Sequence, residues 1–210
     1  MPATSRTKRP HRPRRSTYHH GDLPRALRDA ATRLLAERGS DGLTLREAAR
    51  VVGVNHAAAY RHFADKRALL AAVAEDGYAK LARAMHGADA KRADPGERLR
   101  RIGTAYVVFA RADPALFTLM TGPRLNEDGR FPSLERALRD GVEALEAPIR
   151  DGQTAGLLRE GPIEPIALGL LMLIHGYAHL LLTRRVRVRP AQIGEYLGTL
   201  LEPFLRGLRR

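Results

Sequence analysis

Three side chains that can donate hydrogen bonds lie close together in the first third of the chain. They are a phenol, an imidazole and an ammonium group, carried by Tyr60, His62 and Lys66. Donors of these kinds can bind the phosphates of a nucleic acid. The residues just before them, at positions 57–59, are all alanine and would let the backbone approach a surface closely. This spacing favours phosphate binding beside a close backbone contact, and an ordinary amphipathic surface helix is the alternative interpretation.

A second pair of reactive side chains, His175 and His179, lies one helical turn apart, a spacing that can hold a metal ion. No carboxylate follows the His-Glu-x-x-His pattern and no third ligand is evident, so hydrogen-bonded interior histidines are the favoured interpretation. The chain also lacks a nucleophile elbow, a P-loop, a dinucleotide-binding fingerprint and paired catalytic carboxylates. We therefore predict no enzyme, no metal site and no cofactor. An enzyme or metal protein that uses the two histidines is the disfavoured alternative.

The elements that must position the first group are two short helices joined by a tight turn, over residues 43–66. Thr44 and Glu47 stand at the spacing of a capping box for the first of these helices. Gly53 ends that helix, and Asn55 is a good N-cap for the next. A helix, a glycine turn and a second helix that lies in the major groove make the helix-turn-helix motif.

The rest of the chain shows helical periodicity and no strand pattern, which predicts an all-α fold. A first helix is expected from about residue 22 to 39, and the second helix of the motif from 56 to about 62. We divide the chain into a disordered basic arm at 1–17, a helix-turn-helix DNA-binding domain at 18–66 and a helical ligand-binding and dimerisation domain at 67–210. The fourth helix is expected to connect the two domains.

Positive charge is concentrated around the helix-turn-helix. Residues 1–85 carry 17 Lys and Arg against 8 Asp and Glu, whereas residues 86–210 carry 19 against 15. An excess of this kind is expected of a protein that binds a polyanion. The chain has no cysteine, which excludes disulfides and cysteine nucleophiles and permits a reducing compartment. The N-terminal segment has no apolar core like that of a signal peptide, so we expect a cytoplasmic protein.

The first 17 residues hold six basic residues, three prolines and no acidic residue. A segment of this composition cannot bury a core, so we expect it to be disordered in the free protein. Two roles are open. It is either an arm that follows the phosphates or enters an adjacent minor groove of DNA, or a solvated tail.

The longest apolar stretch runs from residue 166 to 182 and is apolar on two faces. It is slightly short for a membrane span and contains two histidines and two glycines, so we predict a buried helix and no membrane association. A helix that is apolar all round needs cover on every side. Its own domain can supply one side and a second subunit the other, which predicts a homodimer through residues 166–208. Further upstream, Pro148 is expected to kink or break its helix.

The segment from Tyr18 to Val73 resembles the TetR family of bacterial transcription regulators. The resemblance rests on the length of the first helix, the spacing of the second helix and its turn, the end of the third helix and the lysine that starts the fourth. The residues that carry it are Gly42, Thr44, Ala49, Gly53, Val54, Tyr60, His62, Phe63 and Lys66. The resemblance implies an all-helical homodimer that binds a palindromic operator in double-stranded DNA.

The resemblance also assigns DNA-contact positions. Phosphate contacts fall to Thr44, Tyr60, His62 and Lys66, base-facing positions to His56, Ala57 and Ala58, and Arg46 reaches a base or a phosphate. The methyl groups of Ala57 and Ala58 can pack on thymine methyl groups, although both residues are also ordinary helix formers. For His56, a base edge and a phosphate both stay open as partners.

The C-terminal half is similar to a family branch with a Trp-x-x-x-His-Gly motif. His175 and Gly176 match that motif, whereas Leu171 stands in place of the tryptophan. The resemblance implies a cavity for a small-molecule effector of unspecified chemistry. Its candidate lining residues are equally what a helical core needs. They are Tyr106, Phe109, Phe117, Met120, Met172, His175, Tyr177 and His179.

These residues together predict a ligand-responsive transcriptional regulator. It would act as a repressor, bind a palindromic operator as a homodimer and leave the operator when the small molecule binds. A constitutive DNA-binding protein without an effector is the other interpretation of the same DNA-contact residues. That protein would have no cavity inside its C-terminal domain.

Overall fold

The computed structural model describes residues 22–210, which fold into nine α-helices and one short 3₁₀ turn. The helices are α1 (Leu23–Arg38), α2 (Leu45–Val52), α3 (His56–Tyr60), α4 (Lys66–Ala88), α5 (Pro95–Ala112), α6 (Pro114–Thr121), α7 (Pro132–Thr154), α8 (Ile163–Leu182) and α9 (Ile193–Leu208). Within these residues there is no β-strand, only an isolated bridge between Leu158 and Arg209. The predicted all-α fold is confirmed. The basic arm predicted at residues 1–17 lies outside the described residues.

The N-terminal helices pack around a small apolar core. Leu27 of α1 and Leu43 before α2 are fully buried, and Phe63 closes the core after α3. Asp22 caps α1 by accepting a hydrogen bond from the Arg25 N–H at 3.3 Å. These contacts hold α2 and α3 against α1 and fix which side of α3 faces outward.

The C-terminal helices form a bundle around α5, which packs against α4, α7, α8 and α9. Two Asp-Pro dipeptides start helices in this bundle. The Asp94 side chain accepts from the Gly96 and Glu97 N–H groups at the start of α5, and Asp113 accepts from Leu116 N–H at the start of α6. With 23 residues, α4 is about 35 Å long at 1.5 Å per residue. It starts just after the turn that follows α3 and packs against α5, α6 and α7 of the bundle. Its role as a connector between two domains stays a prediction.

Several boundaries differ from the predictions. The helix α3 ends at Tyr60 rather than about His62, because the chain turns there and the His62 and Phe63 N–H groups both bond to the Ala59 carbonyl. The prediction at Pro148 was a kink or a break, and of these two the break is not observed, because α7 continues through Pro148. Leu145 and Ile149 beside the proline are buried in the core, and this packing holds the helix together where the proline removes a backbone hydrogen bond.

Candidate nucleic-acid interface and ligand cavity

Short-range hydrogen bonds fix the geometry of α2 and α3. The Thr44 hydroxyl accepts from the Glu47 N–H at 3.1 Å, which is half of the predicted capping box. The Glu47 carboxylate binds Arg38 of α1 at 2.8 Å and accepts from the Thr44 hydroxyl at 3.3 Å. Gly53 ends α2 in the left-handed conformation, with φ of 81°, which glycine adopts without a steric penalty. Asn55 then caps α3 by accepting from the Ala57 N–H at 3.0 Å.

One side of α3 is anchored and the other is open to solvent. Ala59 is fully buried against the core, whereas Tyr60 is 52% exposed. His56 and Ala57 are exposed and Ala58 is half-buried. The alanines therefore divide as the helical period requires, with one packed inward and the other two toward the open side. His62, just beyond the end of α3, is also exposed.

The remaining predicted contact residues flank α3. Thr44 and Arg46 are exposed at the start of α2. Lys66 is half-buried at the start of α4, and its Nζ lies 3.5 Å from the carbonyl oxygen of Asp41. Sequence reasoning did not single out Arg61, an exposed cation between Tyr60 and His62. Its place between two predicted contacts was the signal that could have identified it.

A cavity of about 280 Å³ lies inside the C-terminal bundle. Four helices and the end of α6 supply its wall, and α7 and α8 also form its rim. Its lining residues are Tyr78, Leu81 and Met85 of α4, Tyr106 of α5, Thr121 of α6, Leu138, Gly141 and Val142 of α7, and Leu168, Leu171, Met172 and His175 of α8. Leu138, Leu168 and Met172 at the rim are exposed, so the cavity opens between α7 and α8.

Three of the eight predicted ligand residues, Tyr106, Met172 and His175, line this cavity. Phe117 packs behind the wall, with its ring 5.6 Å from those of both Tyr106 and His175. Met120 borders an open pocket next to the cavity, which shares Tyr78 with it.

The other three predicted ligand residues lie outside the lining of this cavity. Phe109 packs against the core, and His179 is exposed on α8. Tyr177 faces α9, where its ring stacks on Tyr196 at 5.7 Å. These placements correct the predicted lining. Tyr177 lies on a different side of α8 from His175, whereas His179 shares the side of His175 but lies one turn farther along, outside the lining. The lining residues from α4 and α7 were missed because their alignment depends on how those two helices cross.

A buried hydrogen bond joins two of the lining residues. The Tyr106 hydroxyl lies 2.9 Å from His175 Nδ1. Burial raises the pKa of Tyr106 above that of a free phenol, and burial together with the nearby His179 lowers the pKa of His175. Burial also raises the pKa of Tyr78 to about 12. All three groups are therefore neutral near pH 7, with Tyr106 and Tyr78 protonated.

In the part of the chain that the structure describes, no cluster of side chains supports the alternative interpretation as a metal site. Among residues 22–210, no three His, Cys, Asp or Glu side chains are grouped so that they could hold a metal ion. His175 Nδ1 is occupied by Tyr106, and His179 is exposed on the next turn of α8.

Contacts between the domains link the cavity to the helix-turn-helix. The helix α6 packs against both α1 and α4, and Thr121 at the end of α6 lines the cavity. An ion pair joins α1 to α4, with Arg28 Nε 2.9 Å from Asp76 Oδ2. A shift of α4 or α6 in the bundle would therefore move α1, and with it the base of the helix-turn-helix.

An apolar surface covers one side of α8 and α9. Its exposed residues are Leu168, Met172, Leu173, Leu180, Tyr196 and Leu200. On the opposite side of α8, Leu170 and Ile174 are fully buried in the bundle. Among the described helices, α8 is long and apolar enough to cross a membrane by length and composition alone. Its packed inner side accounts for part of that apolar character, and the exposed surface accounts for the rest.

Comparisons with known proteins agree across both domains. Residues 27–73 match the family profile described as bacterial regulatory proteins of the tetR family, and residues 99–204 match a tetracyclin repressor-like C-terminal domain. A nucleoid occlusion factor SlmA from Marinobacter nauticus is 29% identical over 136 residues, which cover 65% of this chain and 69% of that protein. The class A tetracycline repressor from Escherichia coli is 46% identical over 82 residues, covering 39% of this chain and 36% of the repressor.

A solved structure extends the likeness to the whole fold. It is a protein of unknown function from Rhodococcus sp. RHA1, with 32% sequence identity and a TM-score of 0.79. The alignment covers 93% of this chain and all of the other. The families and named relatives are regulators rather than enzymes.

Proposed function

This chain belongs to the TetR family of transcriptional regulators, and we propose that it is a homodimeric repressor that a small molecule releases from its operator. The observation that carries the proposal is the open side of α3, where His56, Ala57 and Tyr60 are exposed while Ala59 holds the helix to the core. Small and hydrogen-bonding residues on an exposed recognition helix suit the edges of bases in a major groove. We place the protein in the cytoplasm with the chromosome.

The individual contacts remain proposals. Tyr60, His62 and Lys66 bind phosphates, as does Thr44 if its hydroxyl can leave the Glu47 carboxylate. Arg46 contacts a base or a phosphate, and Arg61 adds a further phosphate contact. His56, Ala57 and Ala58 face the bases. Phosphate contacts give affinity that falls steeply with salt concentration, and base contacts give sequence preference.

The apolar surface of α8 and α9 supports a dimer. A membrane is the other environment that could cover such a surface, but the inner side of α8 packs against α5, α7 and α9. Inserting α8 into a bilayer would require breaking that core. A second copy covers the same surface without any change of fold. Two copies related by a twofold axis would present two α3 helices to successive turns of a duplex, about 34–36 Å apart.

The cavity supports an effector and weighs against a constitutive DNA-binding protein. It lies next to α4 and α6, the helices that contact α1. A molecule that prefers one arrangement of these helices would change the separation of the two α3 helices. Coupling free energies of about 1–3 kcal/mol are typical and change affinity several-fold to about a hundredfold. Membership of the Trp-His-Gly branch stays a prediction, since Leu171 replaces the tryptophan.

Selection of bound duplexes from random DNA tests the DNA-binding proposal. We expect an inverted repeat among the survivors. With the selected duplex in hand, His56→Ala on α3 is compared with His86→Ala, which removes an exposed histidine near the far end of α4. Loss of one contact worth roughly 1 kcal/mol lowers affinity about fivefold for the first variant only. Survivors without a repeated half-site, or equal effects of the two variants, would contradict the proposed interface.

A further inference from the structure

The wall of the cavity carries no formal charge. None of its lining residues in the described chain is Lys, Arg, Asp or Glu. Its polar groups are three hydroxyls, from Tyr78, Tyr106 and Thr121, and the imidazole of His175. An ionised molecule in such a place would lose its hydration without gaining an opposite charge, which is strongly unfavourable. The wall therefore selects against anions and cations alike.

Most of the polar hydrogens in the wall already have acceptors. The Tyr78 hydroxyl donates to the carbonyl oxygen of Met120. The Thr121 hydroxyl donates to the carbonyl oxygen of Phe117 at 2.8 Å. These two groups hold the end of α6 in place and have no hydrogen left for a bound molecule.

The bond between Tyr106 and His175 determines what His175 can offer. If Nδ1 carried the hydrogen and donated to Tyr106, the buried phenol would have no acceptor among the described residues for its own hydrogen. An unmatched buried hydroxyl hydrogen is costly. The phenol therefore donates to Nδ1 across 2.9 Å, and the neutral ring carries its hydrogen on Nε2. This N–H is the donor that the wall has free for a bound molecule.

The size of the cavity limits the size of its occupant. A cavity of roughly 150 Å³ holds benzene, so the volume of 280 Å³ corresponds to about a dozen non-hydrogen atoms. The rest of the wall is leucine, methionine, valine and glycine, which match an apolar body.

From these observations we propose that the effector is a small neutral molecule of about a dozen non-hydrogen atoms, with an apolar body and one hydrogen-bond acceptor that binds His175. This inference rests on the proposed function in taking the cavity as the effector site. It goes further by naming the chemical class, which excludes carboxylates, amines and phosphorylated compounds.

Four probes of matched length separate the alternatives. They are 2-decanone, which is neutral with an acceptor, decane, which has no acceptor, decanoate, which is anionic, and decylammonium, which is cationic. Binding to the full-length protein is measured by titration calorimetry at pH 7 without DNA. We expect 2-decanone to bind at least tenfold more tightly than either ion, because each ion must be desolvated without a partner. Decane should bind more weakly than 2-decanone by about threefold to tenfold, the effect of one hydrogen bond.

Two variants locate the acceptor contact. His175→Phe is made together with Tyr106→Phe, because loss of Nδ1 alone would free the Tyr106 hydrogen as a new donor. The pair keeps both aromatic rings and removes the Nε2 donor, so 2-decanone should fall to the affinity of decane. The matched control is His179→Phe, one turn along α8 on an exposed residue outside the lining, and it should leave all four affinities unchanged. If this variant of His175 fails to fold, as judged by its helical circular dichroism, the ranking of the four probes on the unaltered protein still tests the proposed chemical class.

The opposite results would overturn the inference. Decanoate binding as tightly as 2-decanone, and more tightly as the pH is lowered, would mean that a protonated His175 pairs with an anion. Equal binding of decane and 2-decanone would show that the effector does not need a hydrogen-bond acceptor. Release of DNA is measured separately on the selected duplex. Probes that bind with the expected ranking but leave DNA affinity unchanged would contradict release by a ligand and leave the chemical class standing.

Discussion

At the scale of single residues, Lys66 is the cation best placed to report on phosphate binding. It starts α4 beside the turn that follows α3, and its only polar contact within the described chain is the Asp41 carbonyl at 3.5 Å. We expect Lys66→Ala to weaken binding to all duplexes and to reduce the slope of log affinity against log salt by about one. The measurement is binding to specific and random duplexes over a range of salt concentrations.

The matched control for Lys66 is Lys91→Ala. Lys91 is exposed in the loop between α4 and α5, at the other end of α4. Removing it changes the net charge equally and should leave the slope unaltered. An altered base preference at unchanged slope in Lys66→Ala would mean that Lys66 contacts a base.

A different single residue, Arg98, joins three parts of the bundle. Its Nε and Nη2 donate to Asp89 at 2.7 and 3.0 Å, and its Nη1 donates to Asp151 at 2.8 Å. The hydrogen bonds to Asp89 are the main reason that the pKa of Arg98 is raised, and the guanidinium stays charged although the residue is only 4% exposed. The network ties α5 to the end of α4 and to α7.

We expect Arg98→Met to lower the free energy of unfolding by about 3–5 kcal/mol, because it leaves the buried Asp89 carboxylate without a partner. Arg101→Met is the control. Arg101 binds Glu97 in the same helix but is 56% exposed, and its loss should cost about 0–1 kcal/mol. Urea unfolding measures both values. Similar losses in the two variants would show that burial does not distinguish the two ion pairs.

At the scale of elements, the contact between α4 and α6 depends on a glycine. A Cβ built on Gly77 would lie 2.6 Å from Met120 Sδ and 3.0 Å from Leu116 Cδ1. We expect Gly77→Ala to push α6 away from α4 and to destabilise the protein by about 1–3 kcal/mol. Thermal and urea unfolding measure this change.

A glycine-to-alanine substitution near the end of α4 should change the stability in the opposite direction. A Cβ on Gly87 would meet nothing within 4 Å. Alanine there reduces the conformational freedom of the unfolded chain, so Gly87→Ala should stabilise the protein by up to about 0.5–1 kcal/mol. Changes of equal sign in the two variants would mean that the contact with α6 is looser than the distances indicate.

The helices also show which features could be predicted from the sequence. The caps at Thr44 and Asn55 depend on neighbours within three residues, and both predicted helix starts were correct. The exposed side of α3 followed from local spacing in the same way. The course of α7 through Pro148 did not, because distant residues of the bundle supply the packing that keeps the helix continuous.

The cavity was harder to predict than the recognition helix for the same reason. Tyr106 and His175 are 69 residues apart and meet through the packing of α5 against α8. Apolar periodicity identifies which side of each helix is buried. It does not identify where the buried sides of α4, α5, α6, α7 and α8 leave space between them, and that unfilled space is the cavity. Tyr177 illustrates the difference, since it is buried as expected but on the side of α8 that faces α9.

At the scale of the whole molecule, the exposed surface of α8 and α9 is where we propose that a second copy binds. Leu173 and Leu180 are 42% and 39% exposed and stand seven residues apart, so they lie on the same side of α8. Gly176 lies between them on the helix, and a Cβ there would meet nothing within 4 Å, which permits close approach of another helix. Leu168 and Met172, at the rim of the cavity, border the same surface.

We expect the double variant Leu173→Glu and Leu180→Glu to be a folded monomer that binds the selected operator much more weakly. Charges on this surface would be buried without partners in a dimer, whereas they stay hydrated in a monomer. Each monomer would reach only one half-site, so the second α3 helix would no longer contribute to affinity. Sedimentation equilibrium at micromolar concentration measures the mass, circular dichroism the helical content, and titration of labelled operator the affinity.

A matched control separates the position of the new charge from its presence. Val51 in α2 is 43% exposed, close to the value for Leu173, but it belongs to the other domain. Val51→Glu should therefore keep the mass of a dimer. If the double variant also sediments as a dimer, the two copies meet elsewhere, and α8 must be covered by something other than a second subunit. If Val51→Glu is monomeric, the interface extends into the DNA-binding domain and the separation of the two α3 helices is fixed there rather than by the bundle.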